Sequence, residues 1–395
     1  MTRIIALSIL FMVSCATEYP TIPISSKQSR FPRLSSNDKD DIFVTWFEEI
    51  DSTDWSLRGS IFSNNKWSSP MTISSDQPYF INWADFPSLN YIKDDTLVAH
   101  WLEKSGAGTY DYDVHLSFSF NEGRSWSSSQ IPHSSKVKGE HGFSSFGIGN
   151  NTHDLVWLDG REMNMGHSSG HYGKMNLCHT TFTSNGVLGD EFVIDDKVCE
   201  CCPTASVRYK DTLVVAYRDR TNEEIRDINI ARKAGDIWEK PYRVHNDNWK
   251  IAGCPVNGPM LATQKGKIAI AWYTGADNSA RVNVAFSKDI GRTFSEPIRI
   301  DLSMPLGRVD LEWINNNEVI VSWIESGDET SNIYARRVNI NTSLSKETLV
   351  EKIPPGRISG YPQMEVVNNN VLFAWTEINK KTIVASKWLS LSAIK

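Results

Sequence analysis

A hairpin-like motif recurs seven times along the 395-residue chain and constrains its fold more than any other feature. Each copy has an apolar run, a turn rich in Asn, Asp, Gly or Lys, a second β-rich run, and an aromatic residue followed by charge. The aromatic residues lie about fifty to sixty residues apart, the period of propeller blades. They are Trp46, Trp101, Trp157, Tyr217, Trp272, Trp323 and Trp375. This period predicts one continuous domain built from repeated blades.

The β-rich runs of each copy predict antiparallel strands. A third strand follows most hairpins, as in VHLSFS and VNVAFS, and a fourth often follows an aromatic residue and a proline, as in IWEKPYRV. Four antiparallel strands per repeat indicate an all-β fold, a β-propeller of four-stranded antiparallel blades. We predict seven blades, with six as the alternative if one hairpin is an embellishment. The last copy lacks an outer strand, which Thr21 to Ser25 is predicted to supply, closing the ring.

The first fourteen residues have the pattern of an export signal. A positive start precedes the apolar run Ile4 to Val13, which is too short to span a bilayer. The run ends in MVSC and resembles a bacterial lipoprotein signal, which implies cleavage before Cys15, acylation of its thiol and attachment to a lipid membrane. The alternative is an ordinary signal peptide with a chance cysteine. We predict a signal peptide at 1–14, a lipid-anchored tether at 15–29 and a propeller at 30–395.

The residues after Cys15 favour one compartment. Neither of the next two is the aspartate that often marks retention at the inner membrane. We therefore expect an exported outer-membrane lipoprotein that faces the periplasm or the cell exterior. The net charge of -6 and the lack of any Lys/Arg-rich run argue against a nucleic-acid partner.

Repeat phase predicts where a functional site lies. The first strand of a propeller blade is innermost, so its start lies near the central axis, on the face opposite the hairpin turns. We call that face the top face and the hairpin-turn face the bottom face. The strand-one starts and strand-two ends carry many polar residues, including Asp85, Glu140, His141, Arg218 and Arg220. The sequence therefore predicts a polar axial pocket at the top face.

Two turns between third and fourth strands resemble the Asp-box of sialidase-like propellers. They are SFNEGRSW from Ser119 and SKDIGRTF from Ser287. In such a turn a short polar side chain bonds the local backbone, and Gly123 or Gly291 relieves the bend. The resemblance implies a sialidase-like propeller fold.

The same resemblance implies roles for several residues. Arg30, in RFP, matches the arginine that clamps the substrate carboxylate, and Tyr361, in YPQM, matches the tyrosine nucleophile. Asp54, preferred over Asp51, follows the first hairpin as the acid/base aspartate does.

The remaining members of such a site match less closely. Arg226 and Arg308 are the stand-ins for the other clamp arginines, and Glu224 or Glu162 for the residue that polarises the tyrosine. The charged segment that contains Arg218, Arg220, Glu224 and Arg226 contacts ligand in one interpretation and forms a solvated salt-bridge network in the other.

The cysteine cluster supports a different chemistry. Cys199, Cys201 and Cys202 are close in sequence, and Cys254 starts the next repeat at a position nearly equivalent to Cys199. One interpretation is a Cys199–Cys254 disulfide that joins two blades. The second is a thiophilic metal site for copper or zinc, which His167 and His171 from GHSSGHYG help to form. A redox-active thiol is the third.

The sequence thus leaves three functional hypotheses. The first is a sialidase-like propeller that binds or hydrolyses an anionic glycan of the sialic-acid type in an arginine-lined axial pocket. The second is an exported metal-handling protein that uses the cysteine cluster. The third is a non-catalytic scaffold.

Overall fold

A computed structural model describes residues 19–163 and 173–395 of the chain. The predicted acylation site Cys15 and the two predicted metal ligands His167 and His171 lie outside these described residues. Secondary structure within them is almost entirely β, with short 3₁₀ turns at Ala276–Asn278 and Leu391–Ala393. No helix in residues 19–163 or 173–395 has the length and apolarity needed to cross a bilayer.

The strands form seven antiparallel sheets, which are the blades of a propeller. The first three blades contain β1 (Ser29–Ser36), β2 (Ile42–Glu49), β3 (Trp55–Ser63), β4 (Lys66–Trp67) and β5 (Met71–Ser75); β6 (Ser88–Lys93), β7 (Thr96–Lys104) and β8 (Tyr112–Ser119); and β9 (His141–Gly147), β10 (Thr152–Glu162), β11 (Lys174–Thr183) and β12 (Phe192–Val198).

The fourth and fifth blades contain β13 (Ala205–Tyr209), β14 (Thr212–Arg218), β15 (Ile228–Ala234), β16 (Ile237–Trp238) and β17 (Tyr242–Arg243); and β18 (Met260–Gln264), β19 (Lys267–Thr274), β20 (Arg281–Ser287) and β21 (Ile298–Arg299). The last two contain β22 (Pro305–Asn315), β23 (Glu318–Ser326), β24 (Ser331–Asn339) and β25 (Thr348–Ile353); and β26 (Gln363–Val367), β27 (Asn370–Ile378) and β28 (Thr382–Ser390). The predicted seven-bladed, four-stranded antiparallel propeller is confirmed.

The second strand of each blade is the part that the sequence pattern identifies best. In β2, for example, six consecutive residues are buried. A strand that packs against neighbouring blades on both faces is apolar at successive positions, not only at alternate ones. The first strands then pack around the axis: β1 contacts β6 and β26, β13 contacts β9 and β18, and β22 contacts β18 and β26.

A tryptophan–acid pair recurs on the second strands. Each indole Nε1–H donates to a carboxylate two residues further on, which points to the same side of the strand. The pairs are Trp101–Glu103 (2.7 Å), Trp157–Asp159 (3.0 Å), Trp323–Glu325 (2.8 Å) and Trp375–Glu377 (2.9 Å). These acids, predicted to contribute to the axial pocket, serve instead as acceptors for buried indoles.

The N-terminal segment lies on the outer edge of the last blade. The Ile22 amide donates to Ser386 Oγ at 3.1 Å, and Trp388 Nε1 donates to the Pro20 carbonyl at 3.1 Å. Ile22 is buried against Val384. The segment therefore contacts β28 largely through side chains, and it forms no strand ladder there as Thr21 to Ser25 was predicted to do.

An apolar plug closes the top end of the axis. Phe31, Phe86, Phe143 and Tyr361 belong to one buried cluster, although they lie within two residues of the starts of first strands in four different blades. Phe31 and Phe143 have positive φ values of 55° and 51°, a conformation that is unfavourable for bulky residues. The prediction of an open polar pocket on the axis at the top face is therefore wrong: its centre is packed with rings.

The open part of the axis lies at the opposite end. A channel of about 550 Å³ runs from the middle of the first strands to the hairpin turns at the bottom face. Its charged lining includes Arg33, Asp310, Glu312 and Glu365. Burial, followed by the charge of Asp310, raises the pKa of Glu365 to about 8. Burial likewise raises the pKa of Asp310 to about 6.

Candidate functional site

The polar residues of the top face form two neighbouring clusters beside the plug. We call Glu200, Arg220, Glu224 and Arg226 the arginine–glutamate cluster. We call Asp113, His133, His141 and Asp159 the histidine–aspartate cluster. Glu140 starts the third blade between them: it precedes His141 in the chain, and its charge interacts with that of Glu200.

The arginine–glutamate cluster is built by the loop before β13 and the loop after β14. Glu200 accepts hydrogen bonds from both Arg220 and Arg226, the latter at 2.6 Å. Glu224 also accepts from both arginines, at 2.8 Å from Arg220 Nη2 and 2.9 Å from Arg226. Burial opposes ionisation of Glu224, but these hydrogen bonds and charges hold its pKa below the usual value. The two arginines thus keep two carboxylates in fixed positions at the mouth of the blade.

Arg218, predicted to bind substrate with Arg220, has a different role. Its guanidinium is buried and donates to the carbonyls of Asn257 (2.9 Å), Arg226 (2.6 Å) and Tyr273 (2.7 Å). All three of its nitrogens therefore donate to backbone carbonyls, two in loops and one, that of Tyr273, near the end of β19. Arg218 fixes the loops that present the cluster and cannot at the same time clamp a ligand.

Glu140 is a half-buried carboxyl group with a tyrosine donor. The Tyr112 hydroxyl donates to Glu140 Oε1 at 2.8 Å. Burial raises the pKa of Glu140 to about 7. The hydrogen bond from Tyr112 acts in the opposite direction, and the negative charge of Glu200 adds to the rise. Glu140 therefore exchanges a proton near neutral pH, beside a glutamate that two arginines hold.

The histidine–aspartate cluster lies next to Glu140. Asp113 Oδ1 is 3.4 Å from His133 Nε2 and 3.2 Å from His141 Nδ1. The two imidazole rings are stacked with centroids 4.0 Å apart, and His141 Nε2 is 3.5 Å from Asp159 Oδ1. Burial opposes protonation of His141, but Asp113 and Asp159 together raise its pKa to about 9.

The cysteines are paired differently from the prediction. Cys201 and Cys254 form the disulfide that joins the fourth and fifth blades, so the predicted Cys199–Cys254 pairing is wrong. Cys199 and Cys202 are buried thiols whose sulfur atoms are 2.6 Å apart. Cys254 starts its repeat on an exposed loop, where Cys201 and not the buried Cys199 reaches it.

The disulfide also changes the predicted metal chemistry. Two of the four sulfur atoms proposed as copper or zinc ligands are bonded to each other, so a four-cysteine site is not assembled. Burial alone raises a thiol pKa, but the Cys202 hydrogen bond and the charge of Arg226 lower the pKa of Cys199 to about 7. Arg226 Nη1 donates to Cys199 Sγ at 3.5 Å, which links the thiol pair to the arginine–glutamate cluster.

The residues assigned by resemblance to sialidases do not converge. Tyr361 is buried in the plug, and its hydroxyl donates to the Val256 carbonyl. Asp54 is exposed in the turn after β2, and within the described part of the chain its carboxylate makes no hydrogen bond or ion pair. Burial, followed by weaker effects of neighbouring charges, raises the pKa of Tyr361 well above its usual value. A buried neutral phenol with a backbone partner is not arranged as a nucleophile.

The clamp arginines have separate partners. Arg30 stacks on Trp55 with its guanidinium carbon 3.9 Å from the ring centre. Arg308 donates to Ser359 Oγ (3.3 Å) and to the Gly360 carbonyl (3.0 Å), and it stacks on Trp83. Arg226 lies in the arginine–glutamate cluster. A three-arginine clamp is therefore absent among residues 19–163 and 173–395.

Asp85, predicted at the axial pocket, joins two blades instead. Its Oδ2 accepts a hydrogen bond from the Phe143 amide at 2.6 Å. Burial raises the pKa of Asp85 to about 7. Asp310 likewise accepts a hydrogen bond from the Met364 amide, at 2.7 Å. A hydrogen bond from a backbone amide of one blade to a buried aspartate of the preceding blade therefore recurs.

Four residues of the site were not predicted from the sequence: Tyr112, Asp113, His133 and Glu200. Tyr112 and Asp113 start a third strand, which repeat phase also places at the top face, so the pattern contained a usable signal. Glu200 lies between Cys199 and Cys201, and the cysteines in this segment indicate a disulfide, a metal site or a redox-active thiol rather than a carboxylate site. His133 lies in an irregular segment without a repeat position.

Comparisons with known proteins agree on the fold. No model of a known protein family matches the chain, and no curated protein matches its sequence. The solved structures that match over most of their length include two lyases and a sialidase. These three are an ulvan lyase of polysaccharide lyase family PL25 (TM-score 0.56, 7% identity, 94% of this chain and 96% of that one), the polysaccharide lyase Uly1 (0.54, 10%, 91% and 89%) and the Hadza microbial sialidase Hz136 (0.50, 13%, 87% and 75%). At these identities the likeness shows the fold alone, a sialidase-like β-propeller shared by sialidases and polysaccharide lyases.

Proposed function

We propose that this protein binds and cleaves an anionic glycan at the top face, with Glu140 and Glu200 as its catalytic carboxyl groups. The observation that carries the proposal is the contrast between these two neighbours. Glu140 has a pKa of about 7, raised first by burial, whereas Glu200 accepts hydrogen bonds from Arg220 and Arg226. Glycoside cleavage uses one carboxyl group that donates a proton and a second one held in place beside it.

The two carboxyl groups, Glu140 and Glu200, have different roles in this proposal. Protonated Glu140 donates its proton to the glycosidic oxygen as the bond breaks, and the Tyr112 hydroxyl stabilises the carboxylate that remains. Glu200, fixed by two guanidinium groups, supplies the negative charge that stabilises an oxocarbenium-like transition state or activates water. The roles proposed from the sialidase resemblance for Tyr361 and Asp54 thereby pass to residues with suitable exposure and partners.

The anionic part of the substrate is expected at the neighbouring aromatic platform. Trp83 is half-buried, and the guanidinium carbons of Arg308 and Arg357 lie 4.7 and 5.6 Å from its ring centre. Arg357 is exposed, and within the described residues its side chain makes no hydrogen bond or ion pair. A half-exposed indole flanked by an uncommitted guanidinium suits a sugar ring that carries a carboxylate or sulfate.

The cellular setting is part of the proposal. The sequence of residues 1–15 supports export and attachment to a membrane through acylated Cys15. A lipid-anchored propeller outside the inner membrane would meet extracellular glycans directly. One structural neighbour, the PL25 ulvan lyase, binds -[GlcA(1-4)Rha3S]-, an anionic glycan of the kind that the platform suits.

The test is a panel of sialosides and of sulfated or uronate-containing polysaccharides, with new reducing ends measured for hydrolysis and ultraviolet absorbance for unsaturated products. Glu140→Gln is expected to lower kcat by about 10²–10⁴-fold. Glu200→Gln is expected to have a similar effect, and Arg357→Ala to raise KM. Glu122→Gln, an exposed glutamate of a bottom-face turn paired with Arg124, is the matched control. Full activity in both Glu140→Gln and Glu200→Gln, or no binding to any panel member, refutes the proposal.

A further inference from the structure

We infer that Asp113, His133 and His141 form a binding site for a divalent transition metal ion of the zinc type. The inference is independent of the proposed function, because it concerns ion binding and not turnover. It also differs from the sequence-based prediction of a thiolate site, since its ligands are two imidazoles and one carboxylate.

The spacing of the donor atoms carries the inference. One ligand atom from each residue lies within 4.8 Å of the other two. Asp113 Oδ1 is 3.4 Å from His133 Nε2 and 3.2 Å from His141 Nδ1. An ion with tetrahedral bonds of about 2.0–2.1 Å separates its ligands by about 3.3–3.4 Å. Hydrogen bonds from an imidazolium to a carboxylate are shorter, about 2.7–2.9 Å. The observed distances therefore fit ligands of one common ion better than they fit direct hydrogen bonds between the side chains.

The burial of His133 supplies an independent argument. Its side chain is 2% exposed, and neither of its ring nitrogens has a hydrogen-bond partner among the described residues. A buried polar group without a partner is unfavourable unless something satisfies it. Because the rings of His133 and His141 lie in nearly parallel planes, one imidazole turns out of the stack when both nitrogens and Asp113 ligate one ion.

The surroundings of the cluster have the arrangement found around metal-bound histidines. The second ring nitrogen of His141, Nε2, faces Asp159 Oδ1 at 3.5 Å. Asp159 is in turn fixed by Arg161, whose Nε and Nη2 donate at 2.7 and 2.6 Å, and by the indole of Trp157. A carboxylate behind a ligating histidine fixes its orientation and increases its basicity. The Tyr112 carbonyl, 3.3 Å from His141 Nδ1, is the competing partner in the metal-free protein.

The ligand set defines the class of ion. Two imidazoles and a carboxylate suit Zn²⁺ and neighbouring divalent ions such as Co²⁺, whereas soft thiophilic ions prefer sulfur. Three protein ligands leave one position for water or for an oxygen of a bound molecule.

The test uses the full chain, depleted of metal with a chelator and then titrated with Zn²⁺ and, separately, Co²⁺. We expect one ion per chain, a visible Co²⁺ spectrum of a tetrahedral or five-coordinate nitrogen–oxygen site, and a rise in the thermal midpoint on Zn²⁺ addition. Asp113→Asn, His133→Ala and His141→Ala are each expected to weaken Zn²⁺ binding at least about tenfold, the range known for altered metal shells. Unliganded circular dichroism spectra that match the wild type show that each variant is folded.

Two controls separate this site from the cysteines and from the glutamate pair. Cys199→Ser and Glu140→Gln are expected to bind Zn²⁺ as the wild type does. The inference is overturned if the wild-type protein binds no ion, if folded His133→Ala and Asp113→Asn bind with unchanged affinity, or if Co²⁺ gives thiolate charge-transfer bands that Cys199→Ser removes.

Discussion

Replacing Tyr361 with phenylalanine separates a packing role from a nucleophilic one. The side chain is 6% exposed, and its ring packs against Phe86 at 5.7 Å and Trp83 at 6.1 Å between centroids. Its hydroxyl donates to the Val256 carbonyl. Removing only the hydroxyl keeps the ring contacts and leaves that carbonyl without its partner.

The expected loss of stability follows from this single contact. An acceptor that loses its buried partner costs about 1–3 kcal/mol. Globular proteins unfold with an entropy of roughly 2.1 cal/mol/K per residue, so a chain of 395 residues has roughly 0.8 kcal/mol/K in total. The thermal midpoint of Tyr361→Phe should therefore fall by roughly 1–4 °C. Tyr361→Ala, which also opens a cavity in the plug, should cost roughly 3–5 kcal/mol.

Urea unfolding followed by tryptophan fluorescence, with turnover measured on the folded protein, distinguishes the roles. Tyr110→Phe is the control, because Tyr110 is 59% exposed and its change should stay within about 0.5 kcal/mol. We expect Tyr361→Phe to lower the urea midpoint and to retain activity within about twofold of the wild type on any substrate found in the glycan panel. Loss of a nucleophile lowers kcat by orders of magnitude. Abolished turnover with an unchanged urea midpoint would refute the packing role.

Two further predictions concern titration and covalent structure. The folded pKa values of Glu365 and Asp85, about 8 and about 7, are both raised chiefly by burial, so their stabilising protons are present at low pH and are lost as pH rises. The urea midpoint should fall as pH rises from about 4.5, the ordinary pKa of a glutamate, to about 8, and Glu365→Gln should reduce that fall while the exposed-site control Asp54→Asn does not; a midpoint that rises over this range contradicts the titration argument. Non-reducing peptide mapping should recover a Cys201–Cys254 peptide, and removing both cysteines should cost about 4 kcal/mol for a closed loop with a sequence separation of 53 residues. Recovery of a Cys199–Cys254 peptide is the contrary result.

The sequence predicted the ring because the ring is periodic. Buried second strands such as β2 and β14 are apolar at successive positions, and an aromatic residue, Tyr217 in β14 and tryptophan in the other blades, marks each blade. The pairing of Cys254 with Cys201 was not predictable in this way, because it depends on a loop outside the period. Cys199 precedes Cys201 by only two residues in that loop, yet it is buried and takes no part in the disulfide.

The sequence predicted the face on which several polar residues lie better than it predicted their contacts. Repeat phase placed Glu140, His141 and the charged loop after β14 at the top face, where the structure has them. It could not indicate that Tyr361 and Phe31 are buried in an apolar plug, because strand phase contains no information on burial. Nor could it show that the acids of the second strands accept from indoles, which is a contact at a spacing of two residues. Hydrogen bonds from nearby indoles thus engage several acids that the repeat pattern alone assigned to the axial pocket.

The contact between the N-terminal segment and β28 constrains the order in which parts of the chain fold. Ile22 and Ser386 meet across 364 positions of sequence, so the surface that the segment covers on β28 forms long after the segment itself is synthesised. Contacts of such long range are slow to establish. Until then the edge of β28 stays uncovered and able to associate with other chains. Loss of the segment should therefore reduce the yield of monomer at biosynthesis more than it changes the finished ring.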